Sequence, residues 1–596
     1  MMERIADYVI RKVNEAGADH IFMVTGRGML YLSDAVAKNE NITGVPMFHE
    51  QGASYAAMSY AKAKESIGAC LVSTGCAATN AVTGALCAYQ DNLPVIFISG
   101  QHMLNETTRF TQKPIRTYGS QEADIVSIVD SITKYSVMIT DPKNVVYEVE
   151  KALYIANQGR KGPVWIDIPL DIQSARIEEH ELEHFQEPVE KTDNIEGDIS
   201  YVVSKLNSSK RPVIVLGGGA YECKEIIAEY VEKNKIPVVS TFAGCDIYGS
   251  GNDYSVGTIG SLGTPRAGCF ALQNADYVLV IGSKMCSQTI GDKPYTIARE
   301  ASVTVVDIDK DEHKKEKLRF DKLIVSDAKT FLTKLTEHTI QPVYDEWVEK
   351  CLHWKEIFSI EKEEFVLPDK ENQKVDLYEF AYELGKRISS KTAVITDAGL
   401  EELIIPSTIP YKDQQICLFP ASQGAMGYAI PAIIGAHYAG YEEIVVVVGD
   451  GSIMMNVQEL QLLQYLNIKA KIFVMNNNMY AVIRARQKDL FRTRTIGNDS
   501  TDGVPSPDFK KIADSFGLSY FKSDDISITS EVIDKTLCFD YSCICEVMTK
   551  ENQRYFHTSF RKNEKGKLVR PSIEDMSPFM DRDLFIREMI VEPIEI

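Results

Sequence analysis

The sequence predicts an α/β protein of three doubly wound parallel sheets, and three observations carry that prediction. The chain has 596 residues, more than one hydrophobic core sustains, and about three to four domains is the expectation at this length. Short runs of branched apolar residues recur along it, many closing in Gly, Ser or Asp and leading into a helical pattern, which is how fully buried parallel strands read. Two charged stretches, about 176–192 and 346–372, read as linkers and cut these alternations into blocks over 1–175, 193–345 and 373–550. A tail over 551–596 follows.

Composition narrows the function. Hydrophobic content of 44% and charged content of 25% suit a soluble globular chain, and a net charge of −20 gives a nucleic-acid partner no electrostatic support. The 12 cysteines show no Cys-x-x-Cys pairing and no histidine partners, so they read as reduced core thiols. Cys543 and Cys545 fall in an apolar strand pattern. No apolar run reaches membrane-spanning length and the N-terminus opens as an amphipathic helix, so the expectation is a cytoplasmic protein without membrane attachment.

In the first block, a helix from Ile5 to Ala16 leads to the strand Ile21–Val24 and the turn Thr25-Gly26-Arg27-Gly28. Such a glycine turn suits any βα connection. Next comes His49-Glu50-Gln51, after which Gly52, Ala53, Ser54, Ala56 and Ala57 make a helix that must pack closely against a neighbour. An acid at the head of that helix is either a charge complement to the helix N-terminus or a functional carboxyl, and this stretch alone leaves the readings level. Ala69–Asn80 is strand, small-residue turn and helix. Pro94–Gln101 is a buried strand, Gly119–Asp124 opens a helix, and Gly162–Pro169 is a strand closed by proline.

The second block holds three strands ending in Gly or Asp: Pro212–Gly219, Tyr277–Lys284 and Val303–Asp309. Doubly wound sheets bind ligands at such ends. Gly217-Gly218-Gly219 is not the nicotinamide fingerprint. The tail carries basic residues (Arg554, Arg561, Lys562, Lys565, Lys567, Arg570), which read as a solvated face, an anion site or an arm toward a neighbouring subunit.

The third block carries the strongest signal. Glu443–Val448 is a buried strand, Gly449-Asp450-Gly451-Ser452 a turn, Ile453–Leu463 a helical pattern and Lys471–Met475 a second buried strand ending in Asn476-Asn477. Glycines let backbone N–H groups approach an anion, and a helix N-terminus favours negative charge. Asp450 and Asn477 offer hard oxygens that, with a backbone carbonyl and phosphate oxygens, complete an octahedral Mg²⁺ site. An ordinary turn with a capping Asp is the plain alternative.

Taken together, His49-Glu50-Gln51, Ser73-Thr74-Gly75, Thr79-Asn80, Ser120–Asp124, Gly162–Pro169, Val306–Asp309, Gly424-Ala425-Met426-Gly427 and Gly449-Asp450-Gly451 through Asn477 resemble the thiamine-diphosphate enzymes of the acetolactate synthase type, large catalytic subunit, over nearly the whole chain. The resemblance implies a pyrimidine-binding domain, a central domain and a diphosphate-binding domain, with active sites between subunits of a homodimer or homotetramer. It implies that Glu50 shares a proton with the aminopyrimidine N1′, which suits a carboxyl whose pKa an apolar, water-poor pocket raises. Met426 would hold the cofactor bent, and the Gly424 carbonyl would meet its 4′-amino group. Asn80, Gly451 and Ser452 would bind the cofactor, while Asp450, Asn477 and the Met479 carbonyl would hold Mg²⁺. Gln121, Gly26 and Arg27 would line the substrate side.

The implied reaction is decarboxylation of a 2-oxo acid such as pyruvate, with transfer of the acyl group to a carbonyl acceptor. Simple decarboxylation or 2-hydroxyacyl lysis is the alternative within that chemistry. A non-catalytic protein that kept the fold is the alternative outside it, and retention of Glu50 argues against that one. Relative to acetolactate synthase, Arg486 stands where that enzyme carries a Trp, Gly75-Cys76-Ala77 replaces Gly-Pro-Gly, and Gly399-Leu400-Glu401 replaces Gly-Gln-His. Arg486 suggests an anionic or sugar-phosphate acceptor, or a structural ion pair. The resemblance also allows FAD in the central domain, at Gly217–Gly219, Lys284 and Asp307.

Overall fold

The computed structural model describes residues 2–188, 194–341, 343–366, 373–412, 414–563 and 565–594. Its frame is three six-stranded sheets, parallel throughout. The first contains β1 (His20–Met23), β2 (Thr43–Pro46), β3 (Gly68–Val72), β4 (Val95–Gln101), β5 (Tyr135–Met138) and β6 (Val164–Pro169), in the order β2-β1-β3-β4-β6-β5. The second contains β7 (Pro212–Leu216), β8 (Val238–Ser240), β9 (Ser255–Thr258), β10 (Tyr277–Ile281), β11 (Ser302–Asp307) and β12 (Lys322–Val325), ordered β9-β8-β7-β10-β11-β12. The third contains β13 (Thr392–Ile395), β14 (Ile416–Leu418), β15 (Glu443–Gly449), β16 (Ala470–Asn476), β17 (Ser519–Ser523) and β18 (Cys543–Met548), ordered β14-β13-β15-β16-β18-β17. The first and third sheets thus share one strand order. The second reverses direction between β7 and β10, where doubly wound sheets form ligand crevices.

The apolar runs in the sequence form strands because both faces are covered: every residue of β3, β4 and β6 is buried. Cys543 and Cys545 lie inside β18 as core. One apolar core joins the first and third sheets through their helices. The helix Glu50–Lys64 lies against the helix Ala429–Tyr438, with Ser59 Oγ donating to the Ala432 carbonyl at 2.7 Å. A β-carbon on Gly435 would sit 2.2 Å from the Ala56 carbonyl oxygen, and one on Gly68 2.3 Å from that of Ala57. The small residues after Glu50 are what let these backbones approach.

Three expectations need revision. The stretch read as a linker from about 346 includes most of the helix Asp345–Ile357, because Trp347, Cys351 and Trp354 form a buried stripe at helical spacing beneath its charges. In the other charged stretch, Arg176–Ile177 pairs antiparallel with Glu3–Arg4 instead of running free; residues 189–193 lie outside the described residues. The tail lies along its own chain, on the central domain and on the first helix of the third block, Leu377–Gly385. Phe556 is buried against Tyr378 and Phe365, Asn274 Oδ1 accepts the Ile590 and Val591 N–H groups, and Asp575 pairs with Arg561 and Arg582. Arg570 pairs with Asp292. Part of the basic patch is therefore neutralised within the chain. Among the described residues no helix is long and apolar enough to cross a membrane.

Candidate active site

The sequence-predicted residues fall into two groups, each at the C-terminal edge of a sheet. The first group surrounds the end of β3. Gly26 packs on Ser73 so closely that a β-carbon would meet its side chain at 2.5 Å, and Ser73 Oγ accepts the Gly28 N–H at 3.1 Å. Gly75, with φ of +65°, brings Gln121 alongside: a β-carbon there would lie 2.1 Å from the Gln121 carbonyl oxygen. Asn80, at the end of the short helix Cys76–Asn80, donates to Glu50 Oε2 at 2.9 Å. Glu50 heads its helix, with the His49 ring accepting the Gln51 N–H. In the single chain Glu50 is partly exposed, and Asn80, Gln121 and Arg27 are exposed, so the enclosed apolar pocket expected around Glu50 is not formed by this chain alone.

The second group surrounds the ends of β13, β15 and β16. Gly427, φ +84°, donates its N–H to Ser452 Oγ at 3.0 Å and to Asp397 Oδ2 at 3.1 Å; Ser452 Oγ in turn donates to Asp397 Oδ2 at 2.6 Å. Asp397, fully buried, thereby ties the Gly424–Gly427 turn to the Gly-Asp-Gly turn. Burial pushes its carboxyl up to about 6, against the donors that hold it. Met426 sits in that turn, outside the following helix, and is partly exposed. Sequence reasoning passed over Asp397, although an acid closing a buried strand next to a glycine turn was its signal.

Asp450 is 5% exposed. Burial pushes its carboxyl up to about 6, opposed by the Ser506 hydroxyl and by the N–H groups of Asn478, Gly451 and Met479. No cation pairs with it among the described residues. Asn477 is buried one residue beyond β16, its Oδ1 accepting the Met479 N–H at 3.1 Å. A buried carboxylate without a cation, beside a side-chain amide oxygen, has the chemistry of a Mg²⁺ donor set. Gly451 faces the Tyr480 ring, where a β-carbon would approach to 1.9 Å, so any other residue would have to displace that ring. These residues fit a metal-bound diphosphate.

The Glu401 departure has a structural answer. Glu401 packs beside Gly449, where a β-carbon would lie 3.5 Å from its Oε2, and Glu402 packs against Gly424. Burial pushes both carboxyls up to about 8. Both shifts run toward the neutral form, so burial works against negative charge in the first turn of the helix Leu400–Thr408. On the helix Ala481–Phe491, Arg484 pairs with Asp499 at 3.1 Å, while Arg486 is exposed and has no ion pair among the described residues. In the central domain, Gly218, Gly219, Lys284 and Asp307 line a cavity shared with Arg160 and Phe242. Lys284 Nζ donates to Ser422 Oγ at 2.6 Å, and Asp307 lies 3.1 Å from His313 Nε2.

Comparison with known proteins agrees with this geometry. The sequence matches the thiamine pyrophosphate enzyme N-terminal TPP binding domain over residues 3–128, the central domain over 199–335 and the C-terminal TPP binding domain over 397–547. It is 31% identical over 556 residues to the acetolactate synthase large subunit of Lactococcus lactis subsp. lactis (strain IL1403), spanning 91% of this chain and 92% of that one. Identity is 29% over 533 residues to the Haemophilus influenzae large subunit, 86% of this chain and 88% of that one. It is 29% over 525 residues to acetolactate synthase 2, chloroplastic, of Nicotiana tabacum, 86% of this chain and 77% of that one. With three matching domains in order over most of its length, the chain belongs to the thiamine-diphosphate-dependent enzymes of the acetolactate synthase-like type.

Proposed function

We propose that the enzyme decarboxylates a 2-oxo acid such as pyruvate and transfers the acyl group to a carbonyl acceptor, with Mg²⁺ anchoring the cofactor. The observation that carries this reading is Glu50 held by Asn80 at the rim of the first sheet, in a chain that also builds the Asp450–Asn477 donor set. Thiamine diphosphate, when bound, supplies the electron sink that 2-oxo acid decarboxylation needs. The chain's own work is positioning. Asp450, Asn477 and the Met479 carbonyl hold the metal, Gly451 and Ser452 offer N–H groups to the diphosphate, and Gly424 and Met426 set the cofactor's shape. Glu50 holds a proton at the aminopyrimidine edge, and Gln121, Gly26 and Arg27 face the substrate. The two rims are exposed in one chain and carry exposed apolar side chains (Phe48, Met103, Tyr118, Met454, Met455, Ile483), which supports a homodimer or homotetramer with active sites between subunits.

Arg486 favours an acceptor bearing an anionic group, because an exposed guanidinium with no ion pair among the described residues is available for bidentate recognition of phosphate or carboxylate. Product analysis tests both parts. Pyruvate, itself a carboxylated ketone, should give a ligated 2-hydroxy ketone alone, and adding a phosphorylated or a different carboxylated aldehyde or ketone should give the mixed ligation product. Arg486→Ala should raise KM for the charged acceptor by about 10- to 100-fold, the worth of roughly 1.5–3 kcal/mol for a charged hydrogen bond. Acetaldehyde as the sole product in every mixture would instead favour the simple decarboxylase. The cavity lined by Gly218, Gly219, Lys284 and Asp307 supports a nucleotide such as FAD. A flavin absorbance that stays with the purified protein through gel filtration is the expected result, and a colourless, fully active preparation would exclude a tightly bound flavin.

A further inference from the structure

The segment that leaves the Gly-Asp-Gly turn also grips the foot of the Glu50 helix. Instead of the continuous helix the sequence suggests, Ile453–Glu459 is a 3₁₀ segment broken at Asn456, whose φ of −135° and ψ of 37° are not helical, and an α-helix follows over Leu460–Tyr465. Asn456 Nδ2 donates to Gln51 Oε1 at 3.1 Å and to the Gly427 carbonyl at 2.8 Å. Glu459 is completely buried and accepts the N–H of His49 at 3.0 Å and of Phe48 at 3.3 Å. Its carboxylate has room only because residue 52 is Gly, where a β-carbon would lie 2.7 Å from Oε1. Residues 48, 49, 51 and 52, on both sides of Glu50, therefore all meet one segment. A neutral Ser or Asn satisfies a helix N-terminus in ordinary cases. A buried carboxylate without a cation is a costly substitute.

We propose that Glu459 is a positioning residue for Glu50: by accepting the two N–H groups it fixes where the Glu50 helix begins and so where the Glu50 carboxyl points, while Asn456 joins the same foot to the Gly427 turn. This inference rests on Glu50 working on the cofactor. Burial pushes the Glu459 carboxyl up to about 7, against the Phe48 and His49 N–H groups and the Gln458 side chain, which favour its ionised form. The titratable groups on the facing element are His49, whose ring accepts the Gln51 N–H at 3.1 Å, and Glu50. No ion pair reaches Glu459 among the described residues. An ionised carboxylate accepts from both N–H groups. A protonated one turns an oxygen into a donor and loosens the grip as pH falls through about 7.

The test uses the full chain, saturated with thiamine diphosphate and Mg²⁺. Glu459→Ala should lower kcat about 100-fold, the scale of a reacting group displaced by about 1 Å. KM for the 2-oxo acid and cofactor affinity, read by quenching of intrinsic fluorescence, should stay within about threefold. Glu459→Gln keeps the shape and one acceptor oxygen; it should lose about tenfold, and its kcat should no longer fall as pH drops through 7. Undiminished kcat in Glu459→Ala, a loss matched by equally weakened cofactor binding, or an acid limb in Glu459→Gln still centred near 7 as in wild type would overturn the proposal. If the alanine variant does not fold, the glutamine variant's pH profile decides alone. Full turnover in Glu50→Gln would remove the reading of Glu50 and this inference with it. An inactive Glu50→Gln beside a fully active Glu459→Ala would remove only this inference.

Discussion

Glu50→Gln should abolish measurable turnover, a loss of about 10²- to 10⁴-fold in kcat, while thiamine diphosphate still binds. The geometry gives the reason for the split. Glu50 contributes nothing to the Asp450–Asn477 donor set or to the Gly451–Ser452 turn, so the residues proposed to anchor the diphosphate are untouched. Glutamine keeps the length of the side chain and can still meet Asn80, whose amide lies 2.9 Å from Glu50 Oε2. What it removes, on the role proposed for Glu50, is the ability to hold and release a proton at the aminopyrimidine edge. A non-catalytic protein with the same fold would show no difference between wild type and variant. The decisive pair of measurements is kcat and cofactor affinity on the same preparation. Unchanged kcat would sink the role given to Glu50, and cofactor affinity falling in step with kcat would make it a binding residue instead.

The sheets could be read from the sequence because their physics is local. β3, β4, β6, β15 and β16 are buried on both faces, so each is a run of apolar residues that no loop would carry. The turns after them were equally visible, since Gly75 and Gly427 stand at positive φ where other residues are strained. The contacts that hold the two groups of candidate residues in place were not visible. Glu459 reaches Phe48 across 411 residues of chain, and Asn456 reaches Gln51 across 405. No window of sequence contains both ends of such a bond. Glu459 did leave a trace, because it precedes Leu462 and Leu463 by three and four residues and so shares their buried face. The helix Asp345–Ile357 was hidden differently: its charged residues outnumber the Trp347–Cys351–Trp354 stripe, and composition outweighed spacing. Arg484 and Arg486 show the same limit on a smaller scale. Only the position of Asp499 separates the structural arginine from the available one.

Replacing Asp450 with Ala, or stripping the metal by prolonged chelation, should weaken thiamine diphosphate binding by about 100-fold or more, because removing one member of a buried charge pair costs about 3–5 kcal/mol. The apo protein should respond in the opposite sense. Asp450 is a carboxylate with 5% exposure, faced by a hydroxyl and backbone N–H groups but by no cation among the described residues. Without metal such a group is a burden on the fold. Asp450→Asn, close in shape and uncharged, should therefore leave the apo protein at least as stable as wild type. Mg²⁺ with thiamine diphosphate should raise the melting temperature of wild type and fail to raise that of the variant, since a ligand stabilises only the state that binds it. A structural capping role for Asp450 predicts the reverse on both counts: a destabilised apo variant, and a cofactor response that survives. The two readings of the Gly-Asp-Gly turn thus separate in a pair of thermal melts, without any assay of turnover. Activity that persists after chelation long enough for slow metal exchange would count against the Asp450–Asn477 site even if the melts agreed with it.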